Sequence, residues 1–245
     1  DGRHVVQTVS TDAAGNRTVV SKAYDADGGL ASTITSVTAK NGLSVSTSYD
    51  DDGDGIADRL QTIVTVVNAD GSRRETLTNL TGNALAPASV ENRTVTTTSA
   101  DRRTLTIERD STGGGWFDQV EVRVKNADGT SSITISDLAR DGTLKSRVVE
   151  TLSADGNVRV EAIDLNGDGV VDVKTRDDYV MVGAQRVNTV AITNPDDSLR
   201  SFTQKWESAD GRSNWIGTDL DGDKVFETQE KLSITVAVGG ATNSV

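Results

Sequence analysis

The 245-residue chain is only 35% hydrophobic and 4% aromatic, so it can build thin layers contributed strand by strand but not one thick core. Its formal charge of −12 argues against nucleic acid and anionic membrane as partners, because a phosphate surface calls for a basic stripe. The absence of cysteine removes disulfides, thiolate metal sites and cysteine nucleophiles, and no apolar run approaches the ~20 residues that span a bilayer.

From the first residues onward, runs of alternating Thr or Val with polar residues are broken by Asp-Gly or Asn-Gly. Val5–Ser10, Arg17–Tyr24, Leu30–Ala39 and Ser44–Tyr49 read as strands, then Arg59–Val67, Arg74–Leu80, an excursion through Pro87, and Arg93–Thr98. Gln119–Lys125, Ser132–Ser136, Lys145–Leu152, Asn157–Ile163 and Val173–Met181 continue the series. Period-two alternation between turn dipeptides predicts antiparallel hairpins with type I′ tips, in which both central residues need positive φ. Val120, Val122 and Val124 alternate with Glu121, Arg123 and Lys125, which predicts a sheet covered on one face only. No segment of ten residues or more has the helical period.

The distinctive stretches are the loops between some of these runs. Asp164-Leu165-Asn166-Gly167-Asp168-Gly169-Val170-Val171-Asp172 puts an oxygen side chain at its first, third, fifth and ninth positions, with glycine at the sixth. A hard divalent cation takes six to eight oxygens at about 2.3–2.6 Å, and this spacing turns alternate side chains inward around it. Ca2+ is the expected ion. The expected ligands are Asp164, Asn166, Asp168, the carbonyl of Val170 and Asp172. The same register gives Asp50, Asp52, Asp54, the Ile56 carbonyl and Asp58 in an earlier loop, and Asp219, Asp221, Asp223, the Val225 carbonyl and Glu227 in a later one, where Glu230 could add oxygens. In that last loop Lys224 replaces the sixth-position glycine, at a cost of roughly 1–2 kcal/mol if positive φ is required.

A fourth copy, Asp110 to Asp118, has Thr112 and Gly114 where ligands should stand, and is expected to be a plain glycine-rich turn packed by Trp116 and Phe117. The four loops begin at residues 50, 110, 164 and 219, and Asn41, Asp101, Asp155 and Asp210 each precede one of them by nine positions. The expected organisation is therefore a partial unit over 1–49, units over 50–109, 110–163 and 164–218, and a partial unit over 219–245. The expected fold is all-β: a repetitive antiparallel meander of about four strands per ~55-residue unit, curled or stacked along an axis, with a four-stranded-blade propeller as the alternative.

No catalytic constellation is visible. His4 is the only histidine, and the carboxylates are accounted for by the loops. Trp206 and Trp215 flank the Asp210-Gly211 turn and suit either strand packing or a small sugar platform, with packing favoured. The Ala-Asp-Gly tripeptides read as hairpin tips.

With Asn126-Ala127-Asp128-Gly129-Thr130, Ser153-Ala154-Asp155-Gly156 and then Asp164-Leu165-Asn166-Gly167-Asp168-Gly169, the chain resembles the tandem-repeat regions of large bacterial calcium-binding proteins of the RTX and adhesin type. It lacks the G-G-x-G-x-D nonapeptide of the RTX β-roll. Tyr24-Asp25-Ala26-Asp27-Gly28 is similar to the YD repeats of RHS proteins, and the loops are similar to those of FG-GAP and VCBS propellers. The resemblance implies a non-enzymatic calcium-binding segment, exported by type I secretion, that serves outside the cell or on its surface as spacer, fibre or biofilm matrix. Its partners would be calcium and neighbouring repeats or copies of itself, with a carbohydrate- or protein-binding adhesin module as the alternative.

Overall fold

In a computed structural model, residues 2–82, 89–236 and 242–244 are described, and the excursion through Pro87 lies outside them. The chain divides into two compact units, residues 1–121 with 140–142, and residues 122–139 with 143–245. The first holds β1 (His4–Thr11), β2 (Arg17–Tyr24), β3 (Leu30–Thr38), β4 (Ser44–Asp50), β5 (Arg59–Val67), β6 (Arg73–Thr81), β7 (Ser89–Thr98) and β8 (Thr104–Asp110). Strand β9 (Gln119–Lys125) runs across the division. The second unit holds β10 (Ser131–Leu138), β11 (Leu144–Leu152), β12 (Val158–Asp164), β13 (Val173–Val182), β14 (Gln185–Thr193), β15 (Leu199–Glu207), β16 (Ser213–Asp219), β17 (Thr228–Val236) and β18 (Thr242–Ser244).

Within each unit the strands pair antiparallel with their neighbours in sequence, so the topology is a meander without crossovers. No helix is present among the described residues. Threonine and valine at alternate positions favour this outcome, since β-branched side chains fit the pleat and few residues of high helix propensity compete.

The expectation of one covered face is met in part: in β9 Val120, Val122 and Val124 are half-buried and Arg123 and Lys125 exposed, but Glu121 is buried and the cover is thin. Among the described residues only two apolar side chains are fully buried, Val95 at 1% and Val187 at 2% exposure, while Val5, Val9, Val66 and Val67 are exposed. Each unit is therefore held largely by its ladders, with little apolar burial to add to them.

The hairpin tips also differ from expectation. In the turn Asn68–Ser72 the Gly71 amide donates to the Asn68 carbonyl, and the Asn68 amide to the Ser72 carbonyl. Gly71 has φ +85°, whereas Asp70 is not among the positive-φ residues. Each such tip therefore has one left-handed residue where a type I′ turn needs two. The Asp is kept in ordinary φ because its carboxylate serves a different purpose: Asp70 Oδ1 accepts the Ser72 amide at 2.9 Å and the Ser72 hydroxyl at 2.7 Å.

Four irregularities in the ladders prepare the loops. The register shifts at Ala23/Tyr24, Asn79/Leu80, Asp137/Leu138 and Ile192/Thr193. Across each bulge, the partner strand begins at Leu30, Ser89-Val90, Leu144 or Leu199, and these are the residues on which the Asp loops rest.

Candidate metal centres in the Asp loops

The strands β4, β8, β12 and β16 each end on the first aspartate of a loop, at Asp50, Asp110, Asp164 and Asp219. These four carboxylates are buried, with 7%, 1%, 4% and 0% exposure. Burial of a carboxylate needs compensating donors, and the loop supplies them from its own backbone. Asp164 Oδ1 accepts the Gly167 amide at 2.7 Å and Oδ2 accepts the Gly169 amide at 2.9 Å. Asp50 does the same with Gly53 and Gly55, and Asp219 with Gly222 and Lys224. Burial works to raise the Asp219 pKa, but the amides of Gly222, Lys224, Asp221 and Asp223 outweigh it and hold the carboxyl below its ordinary value.

Two further rules recur. The carboxylate at the ninth position closes the loop by accepting the amide of the second: Asp58 from Asp51, Asp118 from Ser111, Asp172 from Leu165 and Glu227 from Leu220, at 2.6–2.8 Å. The fourth-position glycine is wedged against the neighbouring strand. A β-carbon at Gly53, Gly113, Gly167 or Gly222 would stand 2.3, 1.8, 2.2 or 2.2 Å from the carbonyl oxygen of Leu30, Val90, Leu144 or Leu199. Glycine is thus required there twice, for space and for φ between +67° and +81°.

Two oxygens bound to one calcium ion at about 2.4 Å cannot stand more than about 4.8 Å apart. Asp219, Asp221, Asp223 and Glu227 meet that condition, with one ligand atom from each inside 4.8 Å of all the others, and so do Asp50, Asp52 and Asp58. These buried-to-exposed acidic clusters could hold a metal ion.

The remaining expected ligands are placed as follows. Asp54 stands outside the first cluster and accepts the Ile56 amide at 2.7 Å. Asp51, which is not an expected ligand, is paired with Arg59 by two bonds of 2.8 Å. In the third loop Asn166 takes the place of a carboxylate. Its Oδ1 accepts the Asp168 amide, and its Nδ2 donates to Asp168 Oδ2. No three carboxylates gather there among the described residues. The side chains of Ile56, Val170 and Val225 are exposed, at 42%, 57% and 61%, so only their backbone could serve. Glu230 lies in β17 opposite Ile216 and beside Lys205 and Lys231, outside the Asp219 cluster. Lys224 has φ +71°, the left-handed conformation that Gly55 and Gly169 adopt at the same position.

The second loop keeps this backbone without the ligands. Asp110 accepts the amides of Gly114 and Gly115 at 3.0 and 2.9 Å, and Asp118 also accepts the Ser111 hydroxyl. What sequence reasoning missed lies across the ladder, where Arg93 is directly opposite Asp110. Its guanidinium lies 4.9 Å from the centre of the Phe117 ring.

The tryptophans face each other across β15 and β16 and, with Gln185 and Gln204, line a shallow surface depression. Trp206 Nε1 donates to Gln204 Oε1 at 2.9 Å, and Phe226 packs edge-on to Trp215 with centroids 5.0 Å apart. Compared with known protein families and with curated proteins, the chain matches none, and its function has to be read from these loops.

Proposed function

We propose that the chain is a non-enzymatic, calcium-stabilised segment of repeating four-strand units, from a secreted or surface-attached bacterial protein of the RTX and adhesin type, serving as spacer, fibre or matrix component. The observation that carries this reading is the Asp219 loop, where a fully buried carboxylate is joined by Asp221, Asp223 and Glu227 within the reach of one ion. Four like charges in so small a space repel one another, and a divalent ion converts that repulsion into attraction. The near-absence of a core gives the ion leverage. With little apolar burial, each unit is marginal, and ligand bound only by the folded state adds RT ln(1+[L]/Kd) per site. At extracellular calcium and sites of ~10⁻⁴–10⁻³ M, that is roughly 0.5–2 kcal/mol each.

On this reading the chain is pliable where calcium is scarce and stiff where it is plentiful. Thermal unfolding followed by circular dichroism, first with millimolar calcium and then with chelator, tests it. A melting temperature that rises by several degrees with calcium supports the reading, and an unchanged one sinks it.

A second reading is favoured by a separate observation. Trp206 and Trp215 stand opposite each other, half-buried, beside the uncharged amides of Gln185 and Gln204, an arrangement that suits the apolar face and hydroxyls of a neutral sugar. Tryptophan fluorescence titrated with neutral hexose oligosaccharides checks it, and emission that does not move removes it.

A further inference from the structure

The second loop is the exception among the four. It has the buried first aspartate, the wedged glycine and the closing ninth carboxylate, yet it lacks the ligands of its third and fifth positions. Two backbone amides satisfy the hydrogen bonds of this carboxylate at 1% exposure but carry no formal charge, so a nearby cation would add to its stabilisation.

The nearest counter-charge is that of Arg93. Arg93 Nη2 lies 3.9 Å from Asp110 Oδ2, with the arginine side chain 34% exposed. The guanidinium carbon lies over the ring of Phe117, 4.9 Å from its centre, and Phe117 is the eighth residue of the same loop. Its Nε is buried without a hydrogen-bond partner, and the Asp110 carboxylate and the Phe117 ring both lie beside the guanidinium.

The other loops provide the contrast. Thr33 and Phe202 stand opposite Asp50 and Asp219, and neither carries charge. Arg147 stands opposite Asp164, but it is exposed and its Nε reaches Ser136 Oγ at 3.4 Å. The eighth residue of that loop is Val171, which offers no π face. An arginine opposite the loop is therefore not enough. In the Asp110 loop the inward arginine is accompanied by an aromatic ring, and in the Asp164 loop it is not.

We propose that the guanidinium of Arg93, clamped by Phe117, is the built-in cation of the Asp110 loop, filling the role that a bound ion has in the other loops. The contrast with those loops rests on the calcium reading above, whereas the Arg93 contact does not. A delocalised, permanently charged guanidinium suits the task better than an ammonium, because it loses less on partial dehydration and stacks on the ring. The second loop is then a metal-independent joint between ion-dependent ones.

Hydrogen–deuterium exchange of the whole chain, resolved by peptide, provides the test. In the wild type the segment 110–118 is expected to exchange at the same rate in chelator and in calcium. Arg93→Gln is expected to accelerate it by about tenfold or more under both conditions, with Arg93→Lys in between. Circular dichroism of each variant reports whether the strands survive, so that local opening of the loop is separated from global unfolding. The proposal is overturned if Arg93→Gln leaves the segment's exchange unchanged in a folded chain, or if calcium slows that segment in the wild type. The segments 50–58, 164–172 and 219–227 report separately on calcium in the same samples, so failure of one reading is distinguishable from failure of the other.

Discussion

A β-carbon on Gly167 would stand 2.2 Å from the carbonyl oxygen of Leu144, at the bulge where β10 and β11 change register. The loop is thereby fastened to a strand that it does not immediately follow. Gly169, two residues on, has φ +87° but open space around it.

Gly167→Ala and Gly169→Ala should accordingly differ in cost. The second meets only the left-handed strain, about 1–2 kcal/mol, while the first adds a backbone collision and should lose about 3 kcal/mol or more. Urea unfolding at fixed calcium measures both, and equal losses would show that the wedge against Leu144 is not made.

Arg102 at φ +59° and Lys224 at φ +71° occupy places where the corresponding turns elsewhere have glycine. Relief of strain is offset in part by the entropy glycine gains in the unfolded chain, so Arg102→Gly and Lys224→Gly should each stabilise by about 0.5–1 kcal/mol. Asp197 at φ +63° is paired with Lys174 at 2.5 Å, and Asp197→Gly should gain less. Denaturation midpoints at constant slope are the check.

Asn166 shows what an amide does at the third loop position, keeping the acceptor and losing the charge. Asp221→Asn should therefore leave the Asp223 amide satisfied, slightly raise stability in chelator by easing repulsion within the cluster, and weaken calcium binding by roughly tenfold. Calorimetric titration reads the affinity, and a melt in chelator reads the repulsion.

The hairpin tips carry their own pH response. At Asp155 the Ser153 hydroxyl, then the Asn157 amide and side chain, pull the carboxyl down from 3.8 to about 2. A depressed pKa means that the turn's contribution is fully present above pH ~4 and is lost as pH falls toward 2. Ser153→Ala removes the strongest of these donors and should move the Asp155 titration back toward the ordinary carboxylate range. Carboxyl NMR titration follows the residue directly, and an unmoved midpoint would contradict the assignment of the hydroxyl.

Much of this molecule is written locally. Most strand runs up to β13, the positions though not the type of the hairpin tips before Asp50, Asp110, Asp164 and Asp219, and the oxygen spacing of the loops were legible, because side-chain period two, turn glycines and ligand alternation are properties of neighbouring residues. The left-handed Lys224 followed from the same alignment of loops.

The structure decided whatever depends on pairing between strands. Only the register puts Thr33, Arg93, Arg147 and Phe202 opposite the four buried aspartates, residues 17 positions apart in sequence, and only the bulges bring Leu30, Val90, Leu144 and Leu199 under the loop glycines. It also turned Asp54 toward the Ile56 amide and left Glu230 in its strand. Ladder register is a collective property of two segments and of the turn that joins them, so the partner of a buried charge cannot be read from the residues on either side of it.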